Sequence, residues 1–176
     1  MEEIILGFNT DKIYTYNKGD ELFTPVNAVT PLLKYLSKDL VIWECAEKES
    51  EDGNITNVLR DNKFKVITTT IHNGYDFLTC EIPEEINCII TNPPFSLKNE
   101  FLKRCYEIGL PFALLLPIQA LDTKQRFELY SKYGIDLIIF DKRVSYIGSN
   151  GSPPFASAWF TYNILPERLI FERLLK

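Results

Sequence analysis

The sequence has a single histidine, a single methionine and no Cys-x-x-Cys pair. Its four cysteines stand apart at 45, 80, 88 and 105, so the paired close spacing of a structural zinc site is missing, and Cys88 and Cys105 read as small buried hydrophobes. There is no excess of positive charge: 19 Lys and Arg against 24 Asp and Glu leave a net charge of −5. Tight unaided binding to a duplex normally rests on a basic surface that displaces phosphate counterions, so any nucleic-acid contact here must use a local patch or a partner. No run approaches the roughly 20 apolar residues that cross a bilayer. The opening MEEIILGFNTDK lacks the basic flank and small-residue cleavage site of a secretory signal. Repeats and low-complexity tracts are missing too. These absences predict an intracellular, cytoplasmic protein without disulfides, metal or membrane span.

What is present suits one compact domain covering residues 1–176, with ordinary apolar (45%) and charged (24%) fractions. A helix is expected after Thr24 as cap and Pro25 as first helical residue, with Val26, Val29, Leu32, Leu33 and Leu36 at helical spacing. Pro31 interrupts that pattern and predicts a kink or a late start. Short apolar or β-branched runs predict strands at 40–44, 64–70, 86–91, 111–117, 135–140, 142–148 and 156–162. Helical segments fall between them at 54–61, 97–108 and 121–133. The tail from Pro166 carries mixed spacing that fits helix and strand equally. Strands alternating with helices imply parallel βαβ units, and the late cluster of strands implies an antiparallel edge. Ligands in such sheets sit beyond the carboxyl ends of the strands.

One of those ends reads TNPPFS, residues 91–96. An exocyclic amine on a nucleobase is a poor nucleophile because its lone pair is delocalised into the ring. Two acceptors placed on its two hydrogens favour a more pyramidal, more reactive nitrogen. Asn92 offers a side-chain amide oxygen and Pro93 a backbone carbonyl, while Pro93 and Pro94 bring no competing N–H. Phe95 offers a flat face for a base swung out of its stack. The plainer reading is a proline turn ending a strand, with Phe95 in the core and Ser96 as a helix cap.

Asn-Pro-Pro-Phe after a strand resembles the catalytic motif of amino-group methyltransferases, above all the N6-adenine enzymes. The segments KGDELFTPVNAVTPLLKYL, VIWECA, NGYDFL, TNPPFSLKNEFL, PFALLLP and FASAWF resemble small phage and prophage members of that group, from about Lys18 to Pro166. The resemblance implies a Rossmann-like class I methyltransferase fold and S-adenosylmethionine as cofactor. It implies nucleic acid, DNA ahead of RNA, as substrate, in the cytoplasm of a bacterial host. Related motifs also serve RNA adenines and glutamine amides in proteins. Carried over residue by residue, Phe23, Thr24 and Pro25 match the segment that cradles the methionine part of the cofactor. Glu44 matches the acid ending the first strand, and Asp76 and Phe77 match the segment beside the cofactor adenine. Asn92, Pro93, Pro94 and Phe95 match the target-amine site.

The cofactor half departs from the pattern. Lys48 and Ser50 stand where the family has glycines that let backbone approach the methionine. Thr70 stands where an acid usually grips the ribose hydroxyls, a loss of about 1 to 3 kcal/mol by the general value of a charged hydrogen bond. Three readings follow. The cofactor binds by another route, with Glu47 or Glu49 taking the ribose; the chain is a catalytically inactive binding module that engages nucleic acid or a host protein; or it holds another nucleotide-like ligand. Lys98, Lys103, Arg104, Lys142 and Arg143 are the candidate phosphate contacts, and the loop at 148–154 is a candidate cover for the substrate.

Overall fold

The computed structural model describes residues 22–46, 55–147 and 155–175. The apolar run VIWE forms β1 (Val41–Glu44), and KVIT forms β2 (Lys65–Thr68), paired parallel to it. CIIT forms β3 (Cys88–Thr91) on the other side of β1, and FALLLP forms β4 (Phe112–Pro117) beside β3, both parallel. β5 (Asp136–Phe140), β6 (Ser157–Tyr162) and β7 (Leu169–Glu172) complete a seven-stranded sheet in the order β2-β1-β3-β4-β6-β5-β7. β6 runs antiparallel to both β4 and β5, whereas β7 pairs parallel with β5. Every other strand therefore points the same way. One reversed strand enclosed in an otherwise parallel sheet is the arrangement of the Rossmann-like class I methyltransferase fold.

Helices cover both faces, which is why the central strands read as unbroken apolar runs rather than alternating ones. Successive strand residues enter two separate cores. Ile42, Ile90, Leu115 and Trp159 join one with α1 (Val26–Leu33) and α2 (Ile55–Asp61). Trp43, Ile89, Leu114 and Phe160 join the other with α3 (Lys98–Ile108). α4 (Lys124–Tyr133) adds Leu129 and Tyr130 to that second core. The indole N–H of Trp159 donates to the carbonyl of Ala28 at 2.7 Å, which fixes α1 against the middle of the sheet.

Four details differ from the expectations. The first helix is capped by Pro25 in extended backbone, one residue later than expected, because Thr24 is buried and enters the helix approach rather than its cap. The helix starts at Val26 and not late at Pro31, which lies inside it. The expected helix 121–133 is divided: Ile118–Leu121 form a 3-10 turn and α4 begins at Lys124. Buried Arg126 holds the two pieces together, donating to the carbonyls of Ala120 at 2.6 Å and Asp122 at 2.5 Å and to the side chain of Asn99. Finally, 142–148 is not a sheet strand. Val144 and Tyr146 alternate inward as a strand would, but among the described residues the segment's only pairing is a single antiparallel bridge between Ile147 and Phe23. The ambiguous tail supplies β7 instead. The antiparallel pairing thus belongs to interior β6, and both edges are parallel. No helix among the described residues is long and apolar enough to cross a membrane.

The core placement makes a thiol prediction. Cys45, Cys88 and Cys105 are buried and Cys80 is half-buried. Burial pushes the Cys45 and Cys105 thiols well up and that of Cys88 to about 12, whereas Cys80 rises less and has Arg104 opposing the shift. Titration of the native protein with a thiol reagent near pH 8 should label Cys80 alone, and slowly, with the other three reacting only in denaturant. Rapid native labelling of two or more would contradict this packing.

Candidate functional site

β1 and β3 are neighbours, so their carboxyl ends place Glu44 and Thr91 side by side. The Thr91 hydroxyl donates to Glu44 Oε1 at 2.5 Å, and the Ala46 amide donates to the same oxygen at 3.3 Å. Glu44 is 0% exposed, so it is an internal group and not a solvated strand end. A buried carboxyl persists only where hydrogen bonds replace its water, and here they come from the next strand and from the start of its own loop.

Asn92 follows directly. Its side-chain Nδ2 donates to the carbonyl of Leu22 at 2.8 Å. A carbonyl can only accept, so this bond decides which end of the amide faces which way. The oxygen end, Oδ1, exposes less than 1 Å² and has no hydrogen-bond partner among the described residues. Asn92 as a whole is 9% exposed. Leaving such an acceptor unmatched costs about 1 to 3 kcal/mol. A fixed, unmatched acceptor at the carboxyl edge of a parallel sheet is what binding an amine hydrogen requires.

The two prolines that follow stiffen the exit from β3. Pro93 is buried, and the residue before a proline is held in extended backbone. The Pro94 carbonyl is engaged by the Leu97 amide at 2.9 Å, starting a 3-10 turn over Phe95–Leu97 that runs into α3. Lys98 Nζ donates to the carbonyl of Phe95 at 2.9 Å, so this lysine braces the motif from below. Phe95 is half-buried. Its ring meets Phe155 edge to face at 5.3 Å between centroids and Tyr146 at 6.1 Å. Tyr146 in turn donates its hydroxyl to Ser157 at 2.8 Å.

Residues Leu22–Pro25 cross the same edge. The Leu22 carbonyl meets Asn92, and the Phe23 carbonyl accepts from the Ile147 amide at 3.0 Å. Of the expected cofactor residues, Phe23, Thr24, Pro25 and Glu44 therefore lie with Asn92, Pro93, Pro94 and Phe95. Asp76 and Phe77 follow β2 in sequence. Asp76 accepts from the Leu78 amide at 3.0 Å and nucleates a turn. Phe77 is 1% exposed, its ring stacked on Phe101 at 4.6 Å and edge-on to Trp43 at 5.2 Å, so it is a core residue. Thr70 Oγ1 accepts from the His72 amide at 3.0 Å, and Thr69 Oγ1 from the Trp43 indole at 2.8 Å. Lys48 and Ser50, with Glu47 and Glu49, lie outside the described residues, as does the loop 148–154.

The basic candidates separate. Lys103 pairs with Glu107 one turn on, and Arg104 donates to the carbonyl of Cys80 at 3.2 Å. Both line a groove of about 570 Å³ between α3 and α4. Lys142 and Arg143 are exposed after β5. Sequence reasoning missed Leu22, Tyr146 and Phe155. A backbone carbonyl has no sequence signature, and the two aromatics meet Phe95 only through the tertiary fold.

No family model and no curated protein matches the sequence. Among solved structures the chain is similar to a predicted O-methyltransferase from Agrobacterium tumefaciens, at 11% identity and a TM-score of 0.43, over 81% of this chain and 83% of that one. A likeness this distant says nothing of substrate, and the fold assignment rests on the sheet topology.

If Asn92 is held for a ligand rather than for the fold, removing it should cost little stability. Asn92→Ala loses one hydrogen bond to Leu22 but also removes an unmatched buried oxygen, and the two effects oppose. Urea unfolding should show a change within about 1 kcal/mol. A loss of about 3 kcal/mol or more would mark Asn92 as a structural residue.

Proposed function

We propose that the protein transfers a methyl group from S-adenosylmethionine to the N6 amine of adenine in nucleic acid, DNA ahead of RNA. The observation that carries this reading is the orientation of Asn92, tied through Nδ2 to Leu22 with Oδ1 unmatched. Asn92 Oδ1 and the Pro93 carbonyl would accept the two amine hydrogens, and Phe95 would present its ring to the displaced base. Holding the amine in one orientation supplies rate by proximity as well as by polarisation. Because Oδ1 is closed to solvent, entry of a base requires a local movement at the sheet edge. The amine then supplies the hydrogen bond that the empty acceptor lacks.

The cofactor fits at one end. Phe23, Thr24 and Pro25, beside Asn92, would hold its methionine part, with Glu44 beneath. The chemistry it supplies when bound is an electrophilic methyl on a sulfonium. At the ribose end Thr70 stands where the family has its acid, and its hydroxyl already accepts from the His72 amide. The ribose would then fall to Glu47 or Glu49. The same observation favours a second reading, a catalytically inactive methyltransferase-like module of phage or prophage origin that engages nucleic acid or a host protein. In either reading it works in the cytoplasm of a bacterial host.

Calorimetric titration with S-adenosylmethionine, followed by tritiated methyl transfer to unmodified DNA, RNA and protein pools, separates the two. The enzyme reading expects binding and label recovered as N6-methyladenine, with DNA the best acceptor. No heat at millimolar ligand would select the binding module. Label in protein would move the substrate to a side-chain amide.

A further inference from the structure

Among the described residues no strand pairs with the outer edge of β7, at one end of the sheet, and its sequence is self-complementary. Residues 167–173 read Glu-Arg-Leu-Ile-Phe-Glu-Arg. Leu169 is 49% exposed and Phe171 72% exposed, an unusual load of apolar surface for a bare edge.

Backbone geometry restricts what can pair there. The Leu137 amide donates to the Arg168 carbonyl at 2.8 Å and the Asp141 amide to the Glu172 carbonyl at 3.0 Å. Arg168, Ile170 and Glu172 therefore turn their backbone groups toward β5. Leu169 and Phe171, between them, turn theirs outward. A second copy adding antiparallel about a twofold axis must match outward residues with outward ones, so the axis passes through a single residue.

With the axis at Leu169, Phe171 would face Glu167 and Ile170 would face Arg168. With the axis at Phe171, Leu169 would face Arg173 and Ile170 would face Glu172. Both put apolar groups against charges. With the axis at Ile170, Leu169 faces Phe171, Arg168 faces Glu172, Glu167 faces Arg173 and Ile170 faces itself. Leu169 and Phe171 then form hydrogen-bonded pairs through their outward backbone groups, and every charge meets its opposite. Glu172 already accepts from Tyr35 and Lys34, so a facing Arg168 extends a cluster that binds β7 to α1.

We propose that the protein forms a twofold dimer by antiparallel pairing of β7 with β7 centred on Ile170, joining two seven-stranded sheets into one. The occupant of this edge is a second copy of the chain, chosen by the charge complementarity of one register. A strand pair with a modest apolar margin is a small interface, so its dissociation constant is expected on the order of 10 µM.

Sedimentation velocity across about 1 to 200 µM brackets that affinity. The wild-type chain should shift with concentration from 20.4 kDa toward twice that mass. Glu167 and Arg173 are exposed, so reversing them leaves the fold intact, which far-ultraviolet circular dichroism checks. Glu167→Arg and Arg173→Glu should each weaken the dimer by roughly tenfold, since each converts two symmetric attractions into repulsions. The double variant E167R/R173E should restore it. A chain that stays monomeric throughout overturns the proposal and leaves the edge to a foreign strand. A dimer indifferent to both single reversals, or one the double reversal fails to restore, overturns this register.

Discussion

The site depends on one hydrogen bond, from the side-chain amide of Asn92 to the carbonyl of Leu22. An asparagine side chain is symmetric in shape and opposite in chemistry at its two ends. Without a neighbour that only accepts, it would present donor and acceptor alike to whatever approached. The Leu22 carbonyl removes that freedom. The result is an oxygen of fixed direction, the polarity on which the proposed amine recognition rests.

This arrangement draws on parts of the fold far apart in sequence. β3 carries Asn92 to the sheet edge, and the 3-10 turn after Pro94 anchors the chain beyond it. The strap that brings Leu22 is itself held by the Phe23–Ile147 bridge and, through α1, by Trp159. Beneath them Glu44 and Thr91 lock the ends of adjacent strands. The unmatched oxygen of Asn92 is a small local instability that the surrounding structure sustains, as is common where a site is shaped for a ligand rather than for stability.

How much of this was legible from residues alone follows from what each signal depends on. β1, β3 and β4 were readable because burial on both faces writes an unbroken apolar run. β7 was not, since an edge strand half open to water mixes Leu169, Phe171 and charged residues without a clear period. Segment 142–148 differs for the opposite reason: Val144 and Tyr146 alternate inward, yet among the described residues only Ile147 pairs. The TNPPFS motif stands out in the sequence because the chemistry proposed for it is local. Its orienting partner was not, because any residue at position 22 carries the same carbonyl. The ring contacts of Phe77 with Trp43 and Phe101 were not legible either, because they arise only where α3 and β1 meet in the fold.

The central claim is that position 92 works as a hydrogen-bond acceptor toward an amine. Comparing methyl-transfer rates of Asn92→Asp and Asn92→Leu, each first checked for cofactor binding, addresses it most directly. Aspartate keeps acceptor oxygens but loses the donor to Leu22, so transfer should persist at about 10- to 100-fold reduced rate, in line with a misplaced catalytic group. Leucine keeps comparable bulk with no acceptor, so transfer should vanish. Substantial turnover by the leucine variant would contradict the account.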